Sequence, residues 1–153
     1  MKIKTFVAVA LTTALGTIVQ ASSGPSFTFN SEEVKCLAQN IYFEARAEST
    51  LGQTAVAWVT LNRVEDSKYP TSICDVVWEK GQFSWTHDGK SDRPKDKEAW
   101  NKAKYVAYQV LRNREVQPDP TEGAIMFHAV YVEPYWTEKY ERVVRIDDHI
   151  FYK

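Results

Sequence analysis

A helix that is apolar on nearly every side constrains this fold more than any other feature of the sequence. Residues 55–64 are mostly small and aliphatic, with Trp58 among them. Thr50 and Gln53 precede them at the spacing of a capping box, which indicates a helix start at Ser49-Thr50. A helix without a polar face has to be enclosed by other elements, so we expect this one to be buried.

The other periodic segments predict an α+β domain, with the helices first and a small sheet late. Residues 73–78 fit a short helix or a strand equally well, and a polar, turn-rich stretch follows them. The predicted elements are a helix capped at Asn30 or Ser31, a helix over 50–64, a helix from about Asp96 to Arg112, a strand at 123–130, an aromatic loop at 131–140, and a strand pair or one bent strand at 143–151.

The N-terminus has the layout of an export signal followed by a linker. Two lysines precede an apolar run over residues 6–19, and the residues up to Ala21 suit a signal peptidase. The run is short and only weakly apolar, so no stable membrane span is expected, and an uncleaved or transient anchor is the alternative. We therefore predict a signal peptide at 1–21, a flexible lead-in at 22–29, and export to the periplasm or the cell exterior.

Export changes the interpretation of the two cysteines. In an oxidising compartment an isolated pair such as Cys36 and Cys74 usually forms a disulfide. That bridge would close a loop of about 39 residues and stabilise the fold by about 4 kcal/mol. The alternative is a free Cys36 thiol, activated near a helix N-terminus, that acts as a nucleophile together with His128.

The charge balance argues against nucleic acid as a partner. The chain has 19 Lys and Arg against 20 Asp and Glu, and it contains no dense basic stripe. The five Trp, eight Tyr and seven Phe are many for this length. Most of these rings belong in a core, although flat rings exposed in a cleft would also suit sugars.

Glu44 has an unusual position for a charged residue. It follows Ile41 on the inward stripe of the first helix, where burial disfavours the carboxylate and raises the pKa. A raised pKa is what a general acid for glycoside cleavage needs. Helix spacing alone, however, favours a structural glutamate paired with Arg46 or Arg63. Glu48 lies one turn further along and is a weaker candidate.

Several short motifs, in a fixed order, closely resemble the SleB family of cell-wall hydrolases. The likeness starts at Cys36 and covers nearly all of the chain that follows. Each motif alone is weak, whereas their order and spacing together are specific. The matching segments are IYFEARAE at 41–48, GQTAVA at 52–57, LNRV at 61–64, ICDVV at 73–77, QFSW at 82–85, GA at 123–124, FHA at 127–129 and HIFY at 149–152.

The resemblance implies a lysozyme-like, mainly helical fold and an activity similar to that of lytic transglycosylases. Such enzymes cut the bond between N-acetylmuramic acid and N-acetylglucosamine and leave a 1,6-anhydro end. Glu44 would be the catalytic residue, first protonating the glycosidic oxygen and then acting as base on the sugar's own 6-hydroxyl group. Because the substrate supplies the nucleophile, the scheme requires no metal and no cofactor. Residues 30–153 would form one peptidoglycan-lytic domain that acts on glycan strands as a monomer.

The resemblance also implies a set of residues that shape the substrate cleft. In this set Gln82 and Ser84 would bind acetamido or hydroxyl groups, and Phe83 would pack on a sugar ring. The alternative for Phe83 and Trp85 is a role as core anchors, and a lone histidine at a strand end such as His128 is more often structural. The substrate-binding residues that the resemblance implies are Gln82, Phe83, Ser84, Phe127 and His128.

Two positions depart from the family pattern, and a third residue is expected to be structural. Ala47 stands where the family usually has glycine, which adds one methyl group near the site. Phe127 stands where the family often has tyrosine, so it would act by packing and lack the hydroxyl group. His149, close to the end of the sequence, is expected to have a structural role. The family often carries paired cysteines at the places of Cys36 and Cys74.

Two other classes of function stay open at this stage. A peptidoglycan amidase or endopeptidase would use Cys36 with His128, or a zinc ion on His87, His128 and His149, although no His-Glu-x-x-His pair is present. A non-catalytic wall-binding module would give Glu44 no role. The single-domain layout and the weakly apolar leader favour a phage lysis enzyme (an endolysin) or a Gram-negative periplasmic enzyme. The sequence decides neither the setting nor the choice between hydrolysis and anhydro formation.

Overall fold

The structure, a computed structural model, describes residues 30–153. The predicted signal peptide at 1–21 and lead-in at 22–29 lie outside these described residues. Helices precede a three-stranded sheet, so the predicted α+β class is confirmed. In chain order the elements are helices α1 (Ser31–Ala45), α2 (Thr50–Glu65) and α3 (Ile73–Trp78), a 3-10 turn (Ser84–His87), helix α4 (Lys97–Asn113), strand β1 (Met126–Ala129), a second 3-10 turn (Thr137–Lys139), and strands β2 (Arg142–Ile146) and β3 (His149–Tyr152).

Helix α2 lies at the centre of the molecule, as its apolar sequence predicts. Its residues from Gly52 to Leu61 are all buried, and α1, α3 and α4 pack around it. A chain of buried polar groups crosses this core. Asn40 accepts a hydrogen bond from Trp85 Nε1 (3.1 Å) and donates one to Thr60 Oγ1 (3.1 Å). Because buried polar groups are stable only when paired, this chain fixes the first 3-10 turn against α1 and α2.

Ser49 fixes the start of α2, which lies at Ser49-Thr50 as predicted. Its Oγ accepts a hydrogen bond from the backbone N–H of Gly52 (3.2 Å), and Thr50 is the first helical residue. The capping box predicted from Thr50 and Gln53 is therefore wrong by one residue. The Gln53 side-chain amide donates instead to the carbonyl of Glu48 (3.3 Å), so it holds the turn that precedes the helix.

Side-chain caps also start the other three helices. Asn30 Oδ1 accepts from a backbone N–H in the first turn of α1 (3.0 Å), so Asn30 rather than Ser31 is the cap. Asp96 Oδ1 accepts from a backbone N–H in the first turn of α4 (3.0 Å), at the place where that helix was predicted to start. Ser72 Oγ does the same for α3 (3.1 Å), so residues 73–78 are a helix. The predicted disulfide between Cys36 and Cys74 is present and joins α1 to α3. Within residues 30–153 no helix has the length and apolar character that a membrane crossing requires.

The sheet is antiparallel and its strands lie in the order β1-β3-β2. The predicted strand at 123–130 is shorter than expected, because Glu122 (φ 53°) and Gly123 (φ 88°) form a turn and only four residues pair. The segment 143–151 is a pair of strands rather than one bent strand. They meet at a tight turn in which Asp147 also has a positive φ of 50°.

The two faces of the sheet have different neighbours, because successive side chains of a strand point to opposite sides. Phe127 and Phe151 pair across β1 and β3 on the inner face and pack with α2 residues. His128 and Tyr152 lie on the outer face, where the ring of Trp136 packs edge-on against both. The inner face therefore belongs to the core, and the aromatic loop at 131–140 covers the outer face.

Candidate active site

Glu44 lies in the last turn of α1, on the same stripe as Ile41, which is fully buried. The helix ends at Ala45, so the protein packing that encloses Ile41 stops near Glu44. The side chain is half-buried and lines a cleft of about 230 Å³. The end of α1 therefore directs a carboxyl group into a small cleft instead of into the core.

Burial sets the protonation state of Glu44. It raises the pKa of this carboxyl group from 4.5 to about 7, while the nearby Arg63 guanidinium acts in the opposite direction and is the weaker influence. Among residues 30–153 no ion pair within 4.0 Å and no hydrogen-bond donor reaches the carboxylate. The pairing with Arg46 or Arg63 that helix spacing favours is therefore not formed. Glu44 carries its proton over part of the neutral pH range.

The cleft has two walls that come from distant parts of the sequence. The first wall is the end of α1 and the turn after it, with Phe43, Arg46, Ala47 and Glu48. The second wall is the nearer end of the sheet, and its residues are Ala129, Tyr131, Asp148 and His149. The wall residues combine aromatic, cationic and acidic groups beside Glu44, a composition typical of sites that bind polar ligands.

A set of hydrogen bonds joins the two walls. Asp147, in the turn between β2 and β3, accepts through Oδ2 from the Ser49 backbone N–H (2.9 Å) and from Ser49 Oγ (2.6 Å). The Asp148 backbone N–H donates to Glu48 Oε2 (3.2 Å). Gly52 permits this approach, because a Cβ atom there would collide with Asp147 Oδ2. We call these contacts the Ser49–Asp147 clasp.

His149 belongs to the second wall of the cleft, a position that sequence reasoning missed. It is buried, packs edge-on against Phe127 at 5.2 Å, and has a pKa lowered chiefly by burial. The imidazole is therefore neutral near pH 7. Alternation along β3 was the available signal, since it places His149 on the same inner face as Phe151. The turn that brings this face to Glu44 has no such signal in the sequence.

Comparison with known families decides the broad class of this site. Residues 47–152, more than half of the chain, match the family described as Cell Wall Hydrolase. The chain belongs to the Cell Wall Hydrolase family. Glu44 lies just upstream of the matched residues, while Ala129, Asp148 and His149 lie inside them. Most of the residues that line the cleft therefore lie in the region that matches the family.

Relatives and solved structures agree with this membership. The spore cortex-lytic enzyme of Bacillus subtilis (strain 168) is 29% identical over 124 residues, which cover 80% of this chain and 38% of that enzyme. A Bacillus cereus spore cortex-lytic enzyme is 36% identical over 62 residues, or 40% of this chain and 24% of that enzyme. The hydrolase thus spans well under half the length of these curated relatives.

Two crystal structures share the fold. The catalytic domain of the Bacillus cereus SleB protein is 26% identical, with a TM-score of 0.68, and the match covers 86% of this chain and 99% of that domain. The catalytic domain of the germination-specific lytic transglycosylase SleB from Bacillus anthracis is also 26% identical, with a TM-score of 0.68, over 85% and 100% of the two chains. The predicted resemblance to the SleB family and the lysozyme-like, mainly helical fold are confirmed.

Phe83 packs in the core of the hydrolase, behind the cleft. Its ring is 3% exposed and its centre lies 4.9 Å from the Arg63 guanidinium carbon. Arg63 is itself buried, donates from Nε to the Ile125 carbonyl (2.8 Å), and has a pKa lowered chiefly by burial. Phe83 thus supports the cation that acts on Glu44 and presents no free face to a sugar. The packing of Phe83 therefore matches the alternative role given above, that of a core anchor.

The other expected cleft residues fall in different places. Ser84 lines a larger neighbouring groove of about 600 Å³, which shares Phe43 and Arg46 with the Glu44 cleft. Gln82 is half-buried at the turn after α3, where its backbone N–H donates to the Glu79 carbonyl (3.2 Å). The structure therefore brings Ser84 close to the site along a continuous surface and does not place Gln82 on the walls of the Glu44 cleft.

Phe127 and His128 separate onto the two faces of the sheet. Phe127 packs on His149 and so supports the second wall from behind. His128 lies on the outer face, where its Nε2 is 2.9 Å from the Tyr152 hydroxyl oxygen and its ring stacks on that of Tyr152. It lines a separate cleft, so the structure does not bring His128 to Glu44.

The geometry also bears on the alternative chemistries. Cys36 is buried and bonded to Cys74, so the expected Cys36 nucleophile has no free thiol. Within the described part of the chain, no three His, Cys, Asp or Glu side chains are grouped to hold a metal ion, and His87, His128 and His149 do not form such a set. Glu44, which lines the cleft and has a pKa raised by burial, therefore remains the candidate reacting group.

Proposed function

We propose that this protein is a lytic transglycosylase that cleaves the bond between N-acetylmuramic acid and N-acetylglucosamine in peptidoglycan, with Glu44 as its catalytic acid and base. The observation that supports this most directly is a half-buried carboxyl group in a cleft with a pKa raised to about 7. One of the matched structures is described as a lytic transglycosylase, and the curated relatives are described as spore cortex-lytic enzymes. Peptidoglycan is an extracytoplasmic polymer, so the proposal carries with it the predicted export.

The proposed reaction uses one carboxyl group twice. Glu44 donates its proton to the glycosidic oxygen as the bond to C1 of N-acetylmuramic acid breaks, and the leaving sugar keeps the bonding electron pair. The resulting carboxylate then accepts the proton of the 6-hydroxyl group, whose oxygen bonds to C1 and closes the 1,6-anhydro ring. A pKa near neutrality suits both steps, because the group must give up and regain a proton in each turnover.

The cleft walls suggest how the substrate is held during this reaction. Arg46 supplies a positive charge at the mouth, with its guanidinium carbon 5.3 Å from the Tyr42 ring centre. Phe43 and Tyr131 supply apolar ring surface, and Ser84 lies further along the same surface. Sugars combine apolar ring faces with hydroxyl groups, so a wall of rings and charged side chains fits them.

Two further carboxylates in the cleft make hydrolysis the competing outcome. Glu48 and Asp148 both line the cleft, and a retaining or inverting hydrolase would need one of them as a second catalytic carboxylate. Glu48 Oε2 already accepts a hydrogen bond from the Asp148 backbone (3.2 Å), which favours a structural role for Glu48.

The test is a product analysis with matched variants. Purified peptidoglycan is digested with the protein and with Glu44→Gln, Glu48→Gln and Asp148→Asn, and fragments are identified by mass spectrometry. We expect 1,6-anhydro ends from the wild type, from Glu48→Gln and from Asp148→Asn, and none from Glu44→Gln. Reducing ends that depend on Asp148 would replace the proposal with hydrolysis. Free stem peptides beside intact glycan strands would overturn it.

A further inference from the structure

The aromatic loop at 131–140 leaves two tyrosines almost fully exposed. Tyr131 is 83% exposed and Tyr135 is 85% exposed, whereas Trp136 and Tyr140 of the same loop pack against each other at 5.9 Å. This partly buried pair holds the loop on the sheet, so the loop does not need the exposed rings for its own packing. Exposed rings grouped in one place on a surface commonly mark a binding site.

A second cleft, of about 390 Å³, lies beneath this loop on the outer face of the sheet. His128, Ile150 and Tyr152 form its floor, and the loop forms its upper edge. The floor is rigid, because His128 Nε2 hydrogen-bonds with the Tyr152 hydroxyl (2.9 Å) and the two rings stack. Arg142 and Glu133 place a charged donor and a charged acceptor at its rim.

Tyr131 connects this second cleft to the cleft of Glu44. Tyr131 lines both clefts, while Ala129 and His149 line only the inner one and His128 and Ile150 only the outer one. The two clefts therefore meet at Tyr131, beside the edge strand β1. A linear ligand that leaves the Glu44 cleft at this residue would enter the second cleft.

We propose that the second cleft binds the same glycan strand that is cut at Glu44, several sugars away from the scissile bond. The inference rests on the proposed function for its choice of ligand. Tyr131 would stack on the apolar face of the sugar that crosses between the clefts, and Arg142 and Glu133 would bind hydroxyl or acetamido groups beyond it. A glycan fits this path because it is linear and alternates apolar ring faces with polar edges.

Binding by a catalytically inert protein tests this inference separately from catalysis. In the Glu44→Gln background, isothermal titration compares bare tetrasaccharide and octasaccharide strands of alternating N-acetylglucosamine and N-acetylmuramic acid. We expect the octasaccharide to bind about tenfold more tightly, which is of the order of one hydrogen bond from the Arg142 guanidinium. Adding Arg142→Ala should abolish that gain and leave tetrasaccharide binding unchanged. Tyr131→Ala should weaken both ligands.

Tyr105→Ala provides the matched control, since Tyr105 is an exposed tyrosine on α4 and lines neither cleft. It should alter neither affinity. Equal affinity for the two lengths, or a length-dependent gain that survives Arg142→Ala, would overturn the inference. Because binding is measured without turnover, such a result leaves the role of Glu44 untouched. Conversely, if Glu44→Gln still cut peptidoglycan, the proposed function would fail while the length dependence could still be measured.

Discussion

At the scale of single residues, burial rather than hydrogen bonding keeps Glu44 protonated near neutral pH. Arg63 lies close enough to favour the carboxylate, yet the loss of solvent outweighs it and the pKa rises to about 7. The Arg63 guanidinium is itself committed to the Ile125 carbonyl and to the faces of Phe83 and Tyr69. The core therefore fixes the position of Arg63, and with it the extent to which Arg63 lowers the pKa of Glu44.

The first prediction concerns the pH dependence of cleavage. Only the protonated Glu44 carboxyl group can donate to the leaving oxygen, and its pKa is about 7. We expect kcat/KM on soluble glycan strands to be constant in mild acid and to fall about tenfold per pH unit in alkaline solution. Fragment release measured across the pH range checks this. Glu48→Gln should show the same alkaline limb, and a rate that stays flat through mild alkali would exclude Glu44 as the acid.

The second prediction is that Glu44 destabilises the fold when it is charged. The pKa of Glu44 is 4.5 in the unfolded state and about 7 in the folded state, so the folded state binds the proton more tightly. The stabilisation that this proton provides is complete below pH 4.5 and is lost as the pH rises through 7. Glu44→Gln has no proton to lose. As the pH rises, the free energy of unfolding of Glu44→Gln should increase relative to that of the wild type, by up to about 3 kcal/mol at 1.36 kcal/mol per pH unit.

Thermal unfolding of both proteins at pH values below 4.5, between 4.5 and 7, and above 7 measures this difference. A gain of about 3 kcal/mol corresponds to a rise in Tm of several degrees for a domain of this size, and it should develop between pH 4.5 and 7 and stay constant above that range. A Tm difference that does not vary with pH would show that burial does not perturb Glu44 as described.

At the scale of elements, the Ser49–Asp147 clasp determines where the sheet meets the helices. One serine hydroxyl both caps α2 and donates to Asp147, so the start of a helix and the turn of a hairpin share a single group. The hairpin turn in turn places Asp148 and His149 beside Glu44. Cleft geometry therefore depends on a contact between residues 98 apart in the sequence.

The third prediction concerns Gly52, the position that allows this contact. In Gly52→Ala the new methyl group meets Asp147 Oδ2 and Glu48 Cβ, so the turn has to move away from α2. We expect a loss of about 1–3 kcal/mol of stability, typical of overpacking, together with a lower kcat because the second wall shifts. Urea unfolding and steady-state kinetics measure the two effects.

Leu51→Ala is the matched control, because Leu51 is the preceding residue and its side chain is exposed. It should leave both quantities close to those of the wild type. If Gly52→Ala behaved like Leu51→Ala, the clasp would have no part in shaping the cleft.

The elements also show what sequence patterns can and cannot predict. Periodicity and caps predicted the start of α1 and the bounds of α2 and α4 to within one or two residues and placed Glu44 on an inward stripe, since those are local properties, but they left α3 undecided between helix and strand. The clasp, and with it the place of His149, depends on a turn with positive φ at Asp147, a conformation that is uncommon for any residue other than glycine. Phe83 and His128 lie in motifs that resemble those of the SleB family, but the motifs do not specify the direction of the side chains. Tertiary packing determines which way each side chain points.

At the scale of the whole molecule, a single covalent link supplements the helical core. The Cys36–Cys74 disulfide joins the first helix to α3 across 38 positions of sequence. Between these positions lie the end of α1, with Glu44, and the whole of α2. The link therefore encloses the end of α1, which carries Glu44, and the central helix in one loop.

The fourth prediction concerns removal of this link. The double variant Cys36→Ala/Cys74→Ala should lose up to about 4 kcal/mol of stability, because its unfolded state gains the entropy of an open loop. Once folded it should still cleave through Glu44, since neither sulfur reaches the cleft. Tm measured with and without reductant tests the first point, and fragment release from peptidoglycan by the folded double variant tests the second. Reductant should lower the Tm of the wild type and leave the double variant unchanged; loss of cleavage in folded double variant would restore a catalytic role for Cys36.

The spacing of apolar residues along the sequence predicted the α+β fold class but not the arrangement of strands in the sheet. The change from helical to alternating spacing after residue 113 was sufficient to predict α+β. The strand order β1-β3-β2 and the separation of Phe127 from His128 depend on which face meets α2, and that follows from the packing of the complete chain.

The clasp also has a consequence for the timing of activity during synthesis. Ser49 and Glu48 leave the ribosome early, while Asp147, Asp148 and His149 follow about a hundred residues later. A nascent chain that already carries Glu44 on a folded helix has only one wall of its cleft. The cleft around Glu44 is thus assembled only after β2 and β3 have emerged and docked, and a chain still being made has no complete cleft.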